Sequence, residues 1–254
     1  MYKFIFIGTA NAFYSKPDNF QSNLLIIAPN NEKLLIDCGS DARRALAKLN
    51  FNHTDITHVY ISHQHSDHIG GLDWLALSSY FTPGCDKPHL YLPEPLMPSL
   101  WEDSLKGQLS TLPEEVSVHT YFDIQACKID ESFQWQGLSL TPVFSYHAPN
   151  GDDHMPCYSL WIESAQSNVF FTADTTFTPE YHQPYFEKAD TIFHDCETTP
   201  HKSGVHAHYD QLKTLSNDIK KKMYLYHYHD PTIHDPIKDG FIGFAKPGIT
   251  IEIE

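Results

Sequence analysis

The sequence predicts a layered α/β protein, and three observations carry this prediction. Short apolar runs that end in small or polar residues recur along the chain, as β-strands do. Stretches with helical spacing of apolar residues lie between these runs. Side chains that can bind metal follow several of the runs, at the end where the strand would finish. Strands interspersed with helices are typical of sheets that are covered by helices.

The strand candidates are spread over the whole chain. In chain order they read KFIFIGT, NLLIIAP, EKLLIDCG, THVYISH, PHLYLP, LSLTPVF, CYSLWIES, NVFFTADT, ADTIFHD and KMYLYHYH. A first helix is predicted over 41–49, and a second over the apolar positions of 72–79. A third is predicted to begin beside Asp210, as its N-cap, and to run through Leu212, Leu215, Ile219 and Met223.

Length and charge limit the classes of function. The chain has 254 residues with no Gly/Ser-rich or long charged linker, which predicts a single domain over residues 1–254. Its formal net charge is −15, and Arg43 and Arg44 are its only arginines. Such a chain repels a long polyanion and offers no basic stripe that would neutralise phosphates. A small substrate remains compatible, because solvated charge is screened within about 8 Å at physiological salt.

Hydropathy and cysteine usage bear on the compartment. No apolar stretch approaches the roughly 20 residues that a membrane-spanning helix needs. The segment MYKFIFIGTANAF is predicted to form a strand rather than a signal peptide. The five cysteines are scattered, odd in number and without a C-x-x-C pair, which favours a reducing compartment. We therefore expect a cytoplasmic protein that does not associate with membranes.

The segment ISHQHSDHIGGLDWL, residues 61–75, concentrates side chains that can bind metal: His63, His65, Asp67 and His68. The first two histidines are two residues apart on an extended segment, so they point the same way. The aspartate and the last histidine follow a turn and can face a second point. Four local ligands joined by distant ones suit a two-metal centre with ions about 3.5–4 Å apart. Imidazole and carboxylate ligands without thiolate favour Zn²⁺, with Mn²⁺ or Fe as alternatives.

Several further candidates lie at the predicted ends of strands. They are Asp37, His147, Asp174, His194 and His227, and His63 of the cluster has the same position at the end of its strand. The rigid sheet of an α/β protein positions such groups at one edge, where the loops expose them. Asp37 is expected to orient a ligand histidine through a hydrogen bond, with a solvated turn as the alternative.

HQHSDH resembles the H-x-H-x-D-H signature of the metallo-β-lactamase-fold hydrolases. The order of LLIDCG, an isolated histidine, TADT and a late strand ending in histidine is also similar to that superfamily, over nearly the whole chain. HDCE and GVHAHYD look most like its ribonuclease Z and phosphodiesterase branch. The resemblance implies a four-layer αββα sandwich, in which two mixed β-sheets are flanked by helices and the metal centre lies along one edge.

The resemblance also implies two divalent metal ions, which we expect to be Zn²⁺, with a hydroxide as nucleophile. The implied ligands are His63, His65 and His147 for the first ion, Asp67, His68 and His227 for the second, and Asp174 between them. Two of these positions have competitors. His154 competes with His147, which is favoured because a strand fixes it. His229 competes with His227 on the same side of the predicted strand.

The resemblance further implies that Asp67 and His208 act as general acid and base. His208 precedes the third predicted helix, and a helix N-terminus disfavours imidazolium. Asp195 occupies the family position of a carboxylate that would offset this effect. His206 is the alternative catalytic histidine.

We expect a metal-dependent phosphodiesterase that acts on small or nucleotide-derived phosphodiesters. Two divalent ions, less the charges of Asp67, Asp174 and one hydroxide, leave the centre at about +1, which favours an anionic substrate. A tRNA 3′-processing endonuclease is one alternative, although the chain lacks an inserted basic arm, and a lactone or thioester hydrolase is another. The Pro-rich segment 83–113 is interpreted as a lid, a dimer contact or an irregular surface insertion. A homodimer is expected from the resemblance alone.

Overall fold

The computed structural model describes residues 1–151 and 153–254. In this described part, sixteen strands form two seven-stranded sheets and one short hairpin. The strands are β1 Tyr2–Gly8, β2 Asn23–Ile27, β3 Lys33–Ile36, β4 His58–Tyr60, β5 His89–Pro93, β6 Asp123–Cys127, β7 Phe133–Trp135, β8 Leu138–Ser145, β9 Pro149–Asn150, β10 Asp153–His154, β11 Cys157–Glu163, β12 Asn168–Phe171, β13 Thr191–Asp195, β14 Met223–Tyr226, β15 Gly243–Phe244 and β16 Thr250–Ile253.

Both sheets are mixed. The first has the order β16-β1-β2-β3-β4-β5-β6; its strands are antiparallel from β16 to β3 and parallel from β3 to β6. The second has the order β15-β14-β13-β12-β11-β8-β7, antiparallel from β7 to β12 and parallel from β12 to β15. β9 and β10 form the separate hairpin. The parallel half of each sheet presents several strand ends at one edge, where loops can gather functional groups.

Short helices cover the outer faces of the two sheets. They are α1 Ala42–Lys48, α2 Ser66–Ile69, α3 Leu72–Phe81, α4 Met97–Ser99, α5 Lys106–Leu109, α6 Val118–Tyr121, α7 Pro179–Lys188, α8 Tyr209–Leu212 and α9 Asn217–Lys220. None of the helices in the described ranges is long and apolar enough to cross a membrane.

Three apolar layers hold these elements together. The central layer lies between the sheets and contains Phe6 and Leu24 from the first sheet and Phe193 from the second. One outer layer packs the first sheet against α1 and α3, and the other packs the second sheet against α7, α8 and α9. The layers arise because strand side chains alternate between faces; in β2, Leu24 belongs to the central layer and Leu25 to an outer one. The predicted αββα sandwich is confirmed.

One predicted helix is wrong. The single helix expected from Asp210 to Met223 is two short helices, α8 and α9, and Met223 begins β14. The N-cap of α8 is His208 rather than Asp210. The misleading signal was burial: Leu212, Leu215, Ile219 and Met223 all pack into the same outer layer. Helical spacing of apolar residues therefore reported a shared buried face and not a continuous helix.

The segment 83–113 is not an irregular insertion. Its residues form a 3₁₀ turn at Glu94–Leu96, then α4, a π-helical stretch at Leu100–Leu105, and α5. Leu96, Leu100 and Trp101 are buried in the outer layer that covers the first sheet. This part of the segment is therefore an integral piece of the helical layer.

Candidate metal centre

The histidine-rich segment follows β4 and enters α2. His65 has the extended backbone of an N-cap, so Asp67 and His68 lie in the first turn of the helix behind it. The loop after β3 supports this turn closely: a Cβ on Gly39 would lie 2.0 Å from the carbonyl oxygen of Asp67. Only glycine tolerates that approach, which gives the glycine of LLIDCG a packing reason.

The structure brings the seven predicted ligands together in two overlapping sets. The first set is His63, His65, His147 and Asp174, and the second is Asp67, His68, Asp174 and His227. Within each set the possible ligand atoms all lie within 4.8 Å of one another. All seven residues except His65 are buried.

Asp174 belongs to both sets. Its Oδ2 lies 3.2 Å from Nε2 of His68 and 3.4 Å from Nε2 of His227. The same oxygen lies 3.8 Å from Nε2 of His63 and 3.9 Å from Nε2 of His147. One carboxylate at the meeting point of four imidazoles has the position that a bridging ligand requires.

The outward-facing ring nitrogens are occupied by other partners. Nδ1 of His68 donates to Asp37 at 2.7 Å, and Nδ1 of His147 donates to the carbonyl oxygen of Val205 at 2.8 Å. Nδ1 of His227 lies 3.4 Å from Oδ1 of Asp195. The two hydrogen bonds orient the rings of His68 and His147 so that Nε2 faces inward, as metal-binding histidines require. Asp37 thus makes the predicted contact with a ligand histidine.

The inward-facing imidazole nitrogens and carboxylate oxygens of the cluster fit divalent cations. Nδ1 of His65 lies 3.0 Å from Nε2 of His63 and 3.1 Å from Nε2 of His147, so three imidazole nitrogens converge on one point. Oδ1 of Asp174 is buried without a hydrogen-bond partner in residues 1–151 and 153–254. Burial lowers the pKa of His147 to about 4 against the opposing charge of Asp174, so its ring is neutral and able to bind metal near pH 7.

Strained backbone aims three of the strand ends into the cluster. Asp37 after β3, Ala173 after β12 and His227 after β14 have φ values of 63°, 49° and 64°. A left-handed conformation costs a residue other than glycine roughly 1–2 kcal/mol. The sequence carries no signal for these positions, because the strain is compensated by the surrounding packing.

Three other candidate histidines lie outside both ligand sets. His154 is on β10, with its ring centroid 5.3 Å from that of Tyr146. His229 is exposed, because the left-handed turn at His227 ends the alternation of the strand. His194 points to the opposite face of β13, where it packs against Phe186 in the outer layer.

The predicted pairing of Asp195 with His208 is wrong. Oδ2 of Asp195 accepts a hydrogen bond from Nδ1 of His206 at 2.7 Å. His208 instead caps α8: its Nδ1 accepts from the main-chain N–H of Asp210, and its Nε2 donates to the carbonyl oxygen of Thr199. His206 is the alternative named from the sequence, and its ring centroid lies 4.7 Å from that of His227 and 4.9 Å from that of His147.

Comparison with known proteins assigns the family. A family model described as "Anti-Pycsar protein Apyc1" matches residues 2–251 of the chain. The chain belongs to the Apyc1 family. An Anti-Pycsar protein Apyc1 from Bacillus phage vB_BveM-Goe7 is 33% identical to it over 258 residues, which cover 97% of this chain and 96% of the phage protein.

Solved structures show the fold of this Apyc1-family chain. The metallo-β-lactamase-fold protein YhfI from Bacillus subtilis superposes with a TM-score of 0.75 and 20% identity, covering 99% of this chain and 100% of YhfI. The short form of human tRNase Z superposes with a TM-score of 0.70 and 17% identity, covering 99% of each chain. These superpositions confirm the predicted metallo-β-lactamase fold.

Proposed function

We propose that residues 1–254 form one hydrolase domain, a dinuclear metal-dependent phosphodiesterase that cleaves a small, nucleotide-derived phosphodiester. A single observation carries this proposal. Two sets of imidazole and carboxylate ligands share Asp174, and a hydrogen-bonded histidine and aspartate, His206 and Asp195, lie beside them. Ligands alone would suit a structural metal site, whereas a proton-donating pair next to them suits hydrolysis.

Each residue has a part in the proposal. The first cation would be held by His63, His65, His147 and Asp174, and the second by Asp67, His68, Asp174 and His227. When bound, two divalent cations activate water at neutral pH and neutralise charge on the phosphoryl oxygens. The absence of thiolate from both sets favours Zn²⁺ over softer metals.

The chain's own residues supply the proton chemistry in this proposal. Burial disfavours the imidazolium form of His206, but the Asp195 carboxylate outweighs burial and raises the pKa of His206 above its ordinary value. A protonated His206 can donate from Nε2 to a departing alkoxide while its Nδ1 stays bonded to Asp195. Asp67, whose Oδ2 lies 3.3 Å from Nε2 of His227, would accept a proton from the attacking water.

Charge favours a small anionic substrate over a long nucleic acid. Two divalent cations, less the charges of Asp67, Asp174 and one hydroxide equivalent, give the centre about +1. The chain as a whole carries −15, so an extended polyanion meets repulsion beyond the immediate site. We therefore prefer a cyclic mononucleotide or a short diester to precursor tRNA. We also propose a cytoplasmic protein, and a homodimer as its assembly.

A substrate panel tests the proposal. Zinc-replete protein is assayed on cyclic mononucleotides, short oligonucleotide diesters, precursor tRNA, and ester, thioester, lactone and β-lactam reporters. We expect turnover of the small diesters well above the other classes. The Asp174→Asn variant should abolish that turnover, and Asp218→Asn, which changes an exposed carboxylate, should not. Faster cleavage of precursor tRNA, or of lactones and thioesters, would replace the preferred substrate with one of the two alternatives.

A further inference from the structure

We infer that Glu197 and His208 are positioning residues, which close the loop formed by residues 198–207 and thereby hold His206 beside the metal centre. This 198–207 loop carries His206 near its end and has an exposed tip at 200–204. The inference rests on the proposed function, because it takes His206 as the proton donor. It assigns His208 a positioning role, whereas the sequence suggested that His208 acts in general acid–base catalysis.

The base of the loop is closed by main-chain hydrogen bonds. The N–H of Glu197 donates to the carbonyl oxygen of Ala207 at 2.8 Å, and the N–H of Tyr209 donates back to the carbonyl oxygen of Glu197 at 2.9 Å. The N–H of Ala207 also donates to the carbonyl oxygen of Thr175 at 2.7 Å. The residue after His206 is therefore tied directly to the residue that follows Asp174.

Glu197 holds the tip of the loop onto this base. Its carboxylate is buried and accepts from the N–H of Ser203 at 2.9 Å, from Oγ of Ser203 at 3.1 Å and from Oγ1 of Thr199 at 2.9 Å. No Lys, Arg or His pairs with it within 4.0 Å in the described ranges. A buried carboxylate is costly unless hydrogen bonds satisfy it. Since every one of its side-chain partners belongs to the loop, opening the loop would remove them together.

His208 holds the other side of the loop. Its Nε2 donates to the carbonyl oxygen of Thr199 at 2.9 Å, and its Nδ1 accepts from the N–H of Asp210 at 3.2 Å. The ring is 5% exposed, and both nitrogens are used by the main chain. Neither nitrogen of His208 is therefore left to contact a substrate. His206 differs, because its Nε2 has no partner among these contacts.

The closed loop also touches the segments of two ligand histidines. The carbonyl oxygen of Val205 accepts from Nδ1 of His147 at 2.8 Å. Oγ1 of Thr198 accepts from the N–H groups of His229 and Asp230 at 3.1 and 3.0 Å, just after His227. A shift of the loop would therefore move His206 relative to these ligands, and a misplacement of about 1 Å can lower a rate roughly 100-fold.

The test is a double-mutant cycle on zinc-loaded, full-length protein. We expect His208→Ala to lower kcat about 10- to 100-fold on a cyclic mononucleotide, with zinc content unchanged. On bis-p-nitrophenyl phosphate, whose leaving group needs no proton, the same variant should lose less than about 3-fold. In a His206→Ala background, His208→Ala should cost no further activity, because it acts through the missing ring. The kcat–pH profile of His208→Ala should keep the fall in activity at alkaline pH, and the profile of His206→Ala should lose it.

A second readout does not depend on catalysis. Amide hydrogen exchange at Ser203 and Ala207 should be faster in Glu197→Gln and His208→Ala than in the wild type. His208→Asn keeps an acceptor for the N–H of Asp210, so it serves where the alanine variant fails to fold. Because it loses the bond to Thr199, it should also exchange faster at Ser203 and Ala207.

Three results would overturn the inference. The first is a full, independent loss from His208→Ala in the His206→Ala background, which would make His208 act on the reaction directly. The second is unchanged exchange in the loop, and the third is loss of zinc along with activity. Failure of the wild type to cleave any phosphodiester would instead contradict the proposed function. The hydrogen-exchange data would still decide whether Glu197 and His208 close the loop.

Discussion

Nδ1 of His206 lies 2.7 Å from Oδ2 of Asp195, and that carboxylate also accepts the main-chain N–H of Thr175 at 2.9 Å. The aspartate is buried at the end of β13, so its orientation is set by the sheet. Its charge raises the pKa of His206 against the effect of burial. In the proposed function, this pair couples a rigid strand end to the proton that His206 donates at the metal centre.

Asp195→Asn should shift the alkaline limb of the kcat–pH profile to lower pH. A proton donor must be protonated, so activity falls as pH rises through the pKa of His206. Removing the carboxylate removes the charge that raises this pKa, so activity is lost at a lower pH. The profile is measured on a substrate with an alkoxide leaving group, and bis-p-nitrophenyl phosphate serves as the control. A limb that stays in place would show that another group donates the proton.

Asp174→Asn should release metal from both ligand sets, because its Oδ2 is common to them. We expect a fall in kcat/KM of at least about 1,000-fold and a zinc content well below that of the wild type. Elemental analysis of zinc-loaded, desalted protein measures the content. Asp218→Asn is the matched control, since Asp218 is an exposed carboxylate that pairs with Lys221. Retention of full zinc by Asp174→Asn would contradict the bridging assignment.

His182 should make the protein sensitive to acid. Its ring is fully buried, and neither of its nitrogens has a hydrogen-bond partner among the residues that the structure describes. Burial, followed by the neighbouring His194, lowers its pKa to about 3. An unfolded histidine has a pKa near 6.5. As pH falls, the unfolded chain therefore binds a proton at His182 before the folded chain does. The corresponding contribution to the free energy of unfolding is present above pH 6.5 and is lost as pH falls towards 3.

His182→Leu should remove this contribution. Between pH 6.5 and 4, its free energy of unfolding should fall less steeply than that of the wild type, by up to about 1.4 kcal/mol per pH unit. Urea unfolding of metal-free protein at several pH values measures the slope. His119→Leu, at an exposed position, should leave the slope unchanged. Parallel slopes for His182→Leu and the wild type would show that His182 is protonated in the folded state.

Two phenylalanines test the central apolar layer. Phe193 is fully buried between the sheets and contacts the rings of Phe4 and Phe6. Phe193→Ala should lower the free energy of unfolding by about 3–5 kcal/mol. Phe13 is 87% exposed, so Phe13→Ala should change it by less than about 0.5 kcal/mol. Equal losses in denaturant titration would mean that the sheets do not pack as described.

Much of the fold could be predicted because its signals are local. Apolar runs such as KFIFIGT and NVFFTADT correspond to β1 and β12, whose side chains alternate between two buried faces. The helix over 72–79 is α3. The break between α8 and α9 could not be predicted in this way, because Leu215 lies outside both helices and is still buried in the same layer.

In the candidate site, too, local patterns could be predicted and contacts between distant residues could not. His63, His65, Asp67 and His68 are adjacent in sequence, so their clustering is visible before any fold is known. The partner of Asp195 depends on how the 198–207 loop folds back. His206 and His208 are two residues apart, and only the contacts with Asp195 and Thr199 tell them apart. Such contacts join residues distant in the chain and leave no local pattern.

The second ligand set joins Asp67 to His227, 160 residues later in the chain. Both sets take members from each sheet, so a bound cation would fasten the two halves of the sandwich to one another. A growing polypeptide cannot complete the second set until its last strands have left the ribosome. Chelation should therefore loosen the junction between the sheets as well as stop turnover, and newly made protein should become resistant to proteases only after it has acquired its metal.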